Sequence, residues 1–343
     1  MSISTGIVPF KLHHFFLIAE LQKSEQAICP VEALTSPRSA LGRALASFLA
    51  LEDGQTLTFV FNQARRDGQA DRGFVQVFQP DGQSGAYLLG LSPRLDQAED
   101  VQTVWYRLLN HLTAIAAERG LSQLFASAGE GSVELEALLG AGFSAYARED
   151  ILKLAPDAYP QAVASPDVRS EQTTDRWDID QLYRAVTPHL VQQAELVGQL
   201  QEDAGGRWPM ARNQGEGFVL LDGQGIAGYG HLAPGQSGHW LMLMIHPRAY
   251  ELADRLVDYG LALLNYYPPH PVYCAVRHYQ GGVRVHLEAC GFQSFSTQCC
   301  LVKHTAVRVT EPARGLVTAL ENRVKAPTTT VSPSETVTGI YER

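Results

Sequence analysis

The chain has 343 residues, a formal net charge of −9, and 45% hydrophobic against 18% charged residues. That length suits two domains of ordinary size, each able to bury a core. The acidic balance provides no overall positive field to neutralise phosphates, so nucleic acid and anionic membranes are not expected as main partners.

No stretch reaches the length needed to span a bilayer. The short apolar run at 15–19 is crowded by His13, His14 and Glu20, too interrupted for a secretory leader. Five cysteines, odd in number and irregular in spacing, fit reduced thiols in a cytoplasmic protein.

Residues 1–10 read as a loose lead-in, and 11–22 as a strand or a helix start. Residues 39–51 read as a helix with Ser39 as N-cap and Leu41, Leu45, Phe48 and Leu49 on one side. Short apolar runs at 57–61, 73–78 and 86–91 give a strand meander, its last turn at Pro80-Asp81-Gly82, with a polar loop over 65–72. A long helix follows: Val101, Val104, Trp105, Leu108, Leu109, Leu112, Ile115 and Ala116 mark one apolar stripe, closed by Gly120. Then come a strand at 121–126, a short helix at 133–139, Gly142-Phe143, and a closing strand at 151–154.

The order then repeats. Helices are expected over 176–186 and 191–200, split by Pro188. A second meander runs through 217–221, 225–231 and 240–245 and stops at His246-Pro247. Leu252, Ala253, Leu256, Val257, Gly260, Leu263 and Leu264 mark the second long helix, ended by Pro268-Pro269. A strand at 272–276, a short helix to Cys290, Gly291-Phe292 and strand-like residues 295–309 complete it. A weak helix over 313–325 and a mobile Thr- and Ser-rich end are expected after that. The order and spacing of elements, rather than residue identity, mark two diverged copies of one unit.

This order, the strand-to-proline junctions at Ser92-Pro93 and His246-Pro247, and the two Gly-Phe pairs resemble the GNAT-type N-acetyltransferase fold in tandem. The resemblance implies an α/β (α+β) protein of two GNAT-like domains, each a mixed, mostly antiparallel twisted sheet with flanking helices. Each domain would close on a final strand pair. The boundaries would be 1–155, a linker at 156–170, 171–310, and a tail at 311–343. One continuous sheet would contradict two separate lobes.

The resemblance also implies acetyl-CoA as cofactor and a small-molecule or protein amine as substrate. In that family a splayed strand offers backbone groups to the pantetheine arm, and a glycine-rich turn opens the long helix for the pyrophosphate. Here the turns after Pro93 and Pro247 hold no glycine. Asp96, Glu99 and Asp100 would repel phosphate in the first unit. The positions of the family's leaving-group tyrosine carry Leu138 and Leu287, which cannot donate a proton. Both phosphate loops therefore look degenerate, and the second unit is the better place for activity.

There the implied cofactor contacts are Met244, Ile245, Arg248, Tyr250, Arg255 and Gln280. Catalytic candidates are His246, whose ordinary pKa suits a base, and His278 and Tyr279 at the next strand end. Each also reads as an ordinary strand-end or cleft-lining residue. Tyr250 could instead fill the pyrophosphate space. His270, Cys274 and His278 span too much straight strand to share a metal ion. An inactive ligand-binding or assembly protein on the same fold is the alternative. The chain is compatible with a homo-oligomer without specifying one.

Overall fold

The computed structural model describes residues 6–49, 55–64, 70–96, 101–159, 165–196 and 215–305. The expected tail helix and mobile end, and the end of the helix over 191–200, lie outside them.

The N-terminal half opens with β1 (Ile7–Pro9), α1 (Phe15–Leu21), β2 (Gln26–Ala27), α2 (Pro30–Thr35) and α3 (Ala40–Phe48). The expected lead-in is thus partly an edge strand, β1. Ser39 caps α3 by accepting from the Gly42 N–H, which satisfies one otherwise unpaired donor. The meander follows as β3 (Gln55–Ala64), β4 (Ala70–Gln79) and β5 (Gly85–Ser92). Then come α4 (Val101–Glu118), β6 (Gln123–Gly129), α5 (Val133–Gly140) and β7 (Ser144–Leu154). The α4 stripe lies where the pattern puts it: Val104, Trp105, Leu108, Leu109 and Leu112 are buried against the sheet. Each such side chain contributes about 1.5–3 kcal/mol.

The C-terminal half comprises β8 (Val168–Ser170), α6 (Arg176–Val186), α7 (His189–Leu196), β9 (Glu216–Asp222), β10 (Gly225–Ala233) and β11 (His239–Ile245). A 3-10 turn at Pro247–Leu252 leads into α8 (Ala253–Leu263), β12 (Val272–Arg277), α9 (Gly281–Ala289) and β13 (Gln293–His304). Gly142 and Gly291, after the two short helices, have φ of +88° and +94°, a conformation that costs other residues energy.

The expectation of separate sheets is corrected. One sheet runs β1-β3-β4-β5-β6-β13-β7-β12-β11-β10-β9-β8. Nor does either half end in its own strand pair. Each has one strand after its short helix, and the two last strands are exchanged. β13 pairs antiparallel with β6 of the first half, and β7 with β12 of the second, while β7 and β13 pair with each other. The physical reason is local: a single last strand would leave an unpaired edge in each half, and mutual pairing removes both edges.

The join is pseudo-symmetric. β7 and β13 each bulge at their third residue, Tyr146 and Phe295. Glu149 and Gln298 stand six residues after Phe143 and Phe292, and they face each other in register. The halves keep distinct cores behind the sheet, one around α4 and one around α8.

Candidate functional site

Each half contains one parallel strand pair that opens. β5 and β6 pair through Gly85–Gln123, Ala86–Leu124 and Tyr87–Phe125 and then part. β11 and β12 pair through His239–Val272, Trp240–Tyr273 and Leu241–Cys274 and then part. Backbone groups beyond each fork need other partners.

In the first fork the chain supplies them. β4 already covers one side of β5, so β2 pairs along the other, Gln26 with Leu91 and Ala27 with Gly90. The Ile28 N–H then donates to Leu89 O at 2.8 Å. Buried Arg43 anchors this segment. It pairs with Glu25, with Glu32 at 3.1 Å, and with Gln76 Oε1 at 2.7 Å.

The second fork is bridged by one side chain. The His246 N–H donates to Ala227 O, so alternation along β11 points Met244 backbone groups to β10 and those of Leu243 and Ile245 into the fork. Gln280 Nε2 reaches Leu243 O at 3.4 Å, and its Oε1 accepts from the Arg277 N–H at 3.3 Å. The Met244 and Ile245 side chains are core residues.

The turn after this fork is tied down by its own side chains. His246 Nδ1 accepts from the Arg248 N–H at 3.2 Å, capping the turn. Arg248 pairs with Asp222 at 2.7 Å, and Arg255 with Asp167. The Tyr250 ring lies against Gly282, where a Cβ would meet it at 2.5 Å. His278 is exposed, 3.7 Å from Asp150. Tyr279 is half-buried, and burial first, with Glu195 adding, raises its phenol above the ordinary value even against nearby Arg277. The sequence candidates thus surround the second fork without meeting at one point.

What the sequence reading missed lies between the forks. A row crosses the four central strands: Gly129 on β6, Gln298 on β13, Glu149 on β7 and Arg277 on β12 are successive register partners. Gln298 Nε2 donates to Glu149 Oε1 at 2.6 Å, and Arg277 Nε to Glu149 Oε2 at 2.8 Å. Arg277 Nη2 donates to Glu195 Oε1 on α7 at 2.9 Å, and the Tyr183 hydroxyl of α6 to Glu195 Oε2 at 2.6 Å. Burial alone would weaken the Arg277 charge, but Glu195, Cys300 and Glu149 outweigh it and hold the proton well above the ordinary range.

The bulge at Tyr146 re-aims its ring to this face, with the Arg277 guanidinium 5.7 Å from its centroid. A cavity of about 140 Å³ lies here, lined by Glu149, Glu195, Arg277 and Gln280 with Phe125, Trp240 and other apolar groups from both halves. The only advance signal was the shared offset of Glu149 and Gln298 from the two phenylalanines.

No protein-family model and no curated protein matches the sequence. Solved structures do resemble the fold. A tandem GNAT protein from the clavulanic acid biosynthesis pathway aligns over 87% of this chain and 98% of its own, with 15% identity and a TM-score of 0.51. GCN5-related N-acetyltransferases from Sphaerobacter thermophilus and Kribbella flavida share 12% identity each. They cover 82% and 76% of this chain and 95% and 94% of their own, at TM-scores of 0.48 and 0.45. The chain has the tandem GNAT-type fold.

Proposed function

We propose that this chain is an acyl-CoA-dependent N-acyltransferase-like protein whose chemistry lies in the C-terminal lobe, residues 171–310. The N-terminal lobe, 1–155, serves as structural partner. The supporting observation is the contrast between the forks: β2 fills the first, whereas among the described residues Gln280 alone bridges the second. Leu243 and Ile245 offer backbone groups to an extended thioester arm there. Tyr279, whose phenol burial keeps protonated, would give its proton to the departing thiolate.

The fit to the cofactor is partial. The open fork suits the pantetheine arm. The turn at 247–252 lacks glycine, and Arg248 and Arg255 are paired with Asp222 and Asp167, so among the described residues of this turn none is free to cradle the diphosphate. Calorimetric titration should therefore give similar millimolar-range affinity for acetyl-CoA and for acetyl-pantetheine, which lacks the nucleotide. Acetyl transfer to a panel of small amines should accompany it. No heat from either thioester at millimolar concentration would sink the proposal.

One observation favours a second reading, an inactive ligand-binding or assembly protein. Leu138 and Leu287, at the expected acid positions, are buried in the two cores and have no proton to donate. Steady turnover lost in Tyr279→Phe would exclude this reading.

A further inference from the structure

The central cavity is built around an unmet donor. Arg277 is 9% exposed and lines the cavity. Its Nε and Nη2 are used by Glu149 and Glu195. Its third nitrogen, Nη1, is buried and has no hydrogen-bond partner among the described residues. Leaving a charged buried donor unsatisfied is costly. The cavity that Arg277 lines, about 140 Å³, is close to the roughly 150 Å³ that accepts a benzene ring, and a small rotation of the guanidinium would bring Nη1 to a ligand there. Its wall is partly aromatic: Phe125 stacks on Tyr87 at 5.1 Å, and Tyr146 and Trp240 also line it.

The charge balance narrows the ligand. Glu149 and Glu195 face one guanidinium, an excess of one negative charge. A carboxylate ligand would add a second buried negative charge. An ammonium would offset the excess but leave Nη1 unmet, because it has no acceptor. A neutral carbonyl oxygen meets the donor without changing the charge.

We infer that the cavity between the two lobes is a binding site for a small neutral ligand with an aromatic or apolar body, whose carbonyl oxygen accepts from Arg277 Nη1. Neither fork alone forms this site: β5 and β6, β11 and β12, β7 and α7 all supply lining residues. The inference rests on the cavity and stands whether or not the C-terminal lobe transfers an acyl group.

Four probes with one phenyl body test it by ligand-observed NMR on the full chain: phenylacetamide, ethylbenzene, phenylacetate and 2-phenylethylamine. Phenylacetamide should bind, with the other three about tenfold weaker or more. Ala275→Leu, which adds bulk to the lining without touching the ion network, should abolish amide binding. Arg277→Lys keeps the charge but loses the fork of donors, and should erase the preference of amide over ethylbenzene. Should Arg277→Lys fail to fold, the probe ranking and Ala275→Leu decide. No amide binding at its solubility limit, equal binding of all four probes, a preference for the acid or the amine, or unchanged binding in folded Ala275→Leu would overturn the inference.

Discussion

Both halves of the molecule open a parallel strand pair, and each deals differently with the backbone groups this frees. In the first half β2 zips along β5, and Arg43 fastens it through Glu25, Glu32 and Gln76. In the second half, among the described residues, a single amide, Gln280, spans the gap. A strand satisfies several groups at once and leaves no room for an extended ligand. One side chain satisfies one carbonyl and can swing away. The same geometry thus gives a closed fork and an open one, and the asymmetry continues at the pseudo-axis, where Glu149 meets Gln298 on one side and Arg277 on the other.

The sharpest way to probe that asymmetry is across the axis. Arg277→Met strands two buried carboxylates and should cost about 3–5 kcal/mol. Gln298→Leu removes one neutral donor from Glu149 and should cost about 1–2 kcal/mol. Urea unfolding midpoints compare the two, and equal losses would show that the charged side is not the stronger anchor.

Next is the closed fork. Arg43→Met should destabilise by about 2–4 kcal/mol, because Glu25 and Glu32 lose their buried partner. Hydrogen exchange at the Ile28 amide, which donates to Leu89 O, should then speed up while β11 amides do not change. Faster exchange in both forks would break the comparison, since it would tie them to one unfolding unit.

Acid should separate the halves. Asp175 accepts from Arg169 at 2.7 and 2.8 Å and from the Gln172 N–H at 2.8 Å at the entry to α6. Arg169 is the largest cause holding its carboxyl below the ordinary value. A depressed folded pKa stabilises above the unfolded value, about 3.9, and that contribution is lost as pH falls through the folded one. The counterpart at the entry to α1 is His14, whose Nδ1 accepts from the Lys11 N–H at 3.1 Å, and burial first, with His13 and Lys11 adding, holds its imidazole below the ordinary value. Asp175→Asn should cost about 1–2 kcal/mol at pH 7 and flatten the stability loss below about pH 4. An unchanged acid profile of the urea midpoint would contradict this.

The smallest effect is expected at the turn. Arg248→Ala and Arg255→Ala break partly exposed pairs and should each cost under about 1 kcal/mol. Affinity for acetyl-CoA should stay within about twofold, because neither arginine is free to meet a diphosphate. A tenfold fall for either variant would mean that the arginines leave Asp222 and Asp167 for the nucleotide.

Much of the fold was legible because it is local. The α4 stripe, the Ser39 cap and the left-handed Gly142 and Gly291 each follow from a few neighbouring residues. β1 and β2 were not, since three and two residues carry no period to read. The exchange of β7 and β13 was hidden for another reason: which antiparallel partner a strand takes is not written in its own alternation. The ion row was hidden likewise, because Glu149, Gln298 and Arg277 sit on three strands and meet only once the register is set. His246, singled out for its chemistry, is held as a turn cap instead.

The central claim is that one fork is open to a thioester arm and the other is not. A crystal of the full chain soaked in millimolar acetyl-CoA tests this directly. The expected result is ligand density along Leu243 and Ile245 between β11 and β12, with Gln280 displaced and β2 still paired to β5. Density between β5 and β6 with β2 expelled, or no density in either fork, would contradict it.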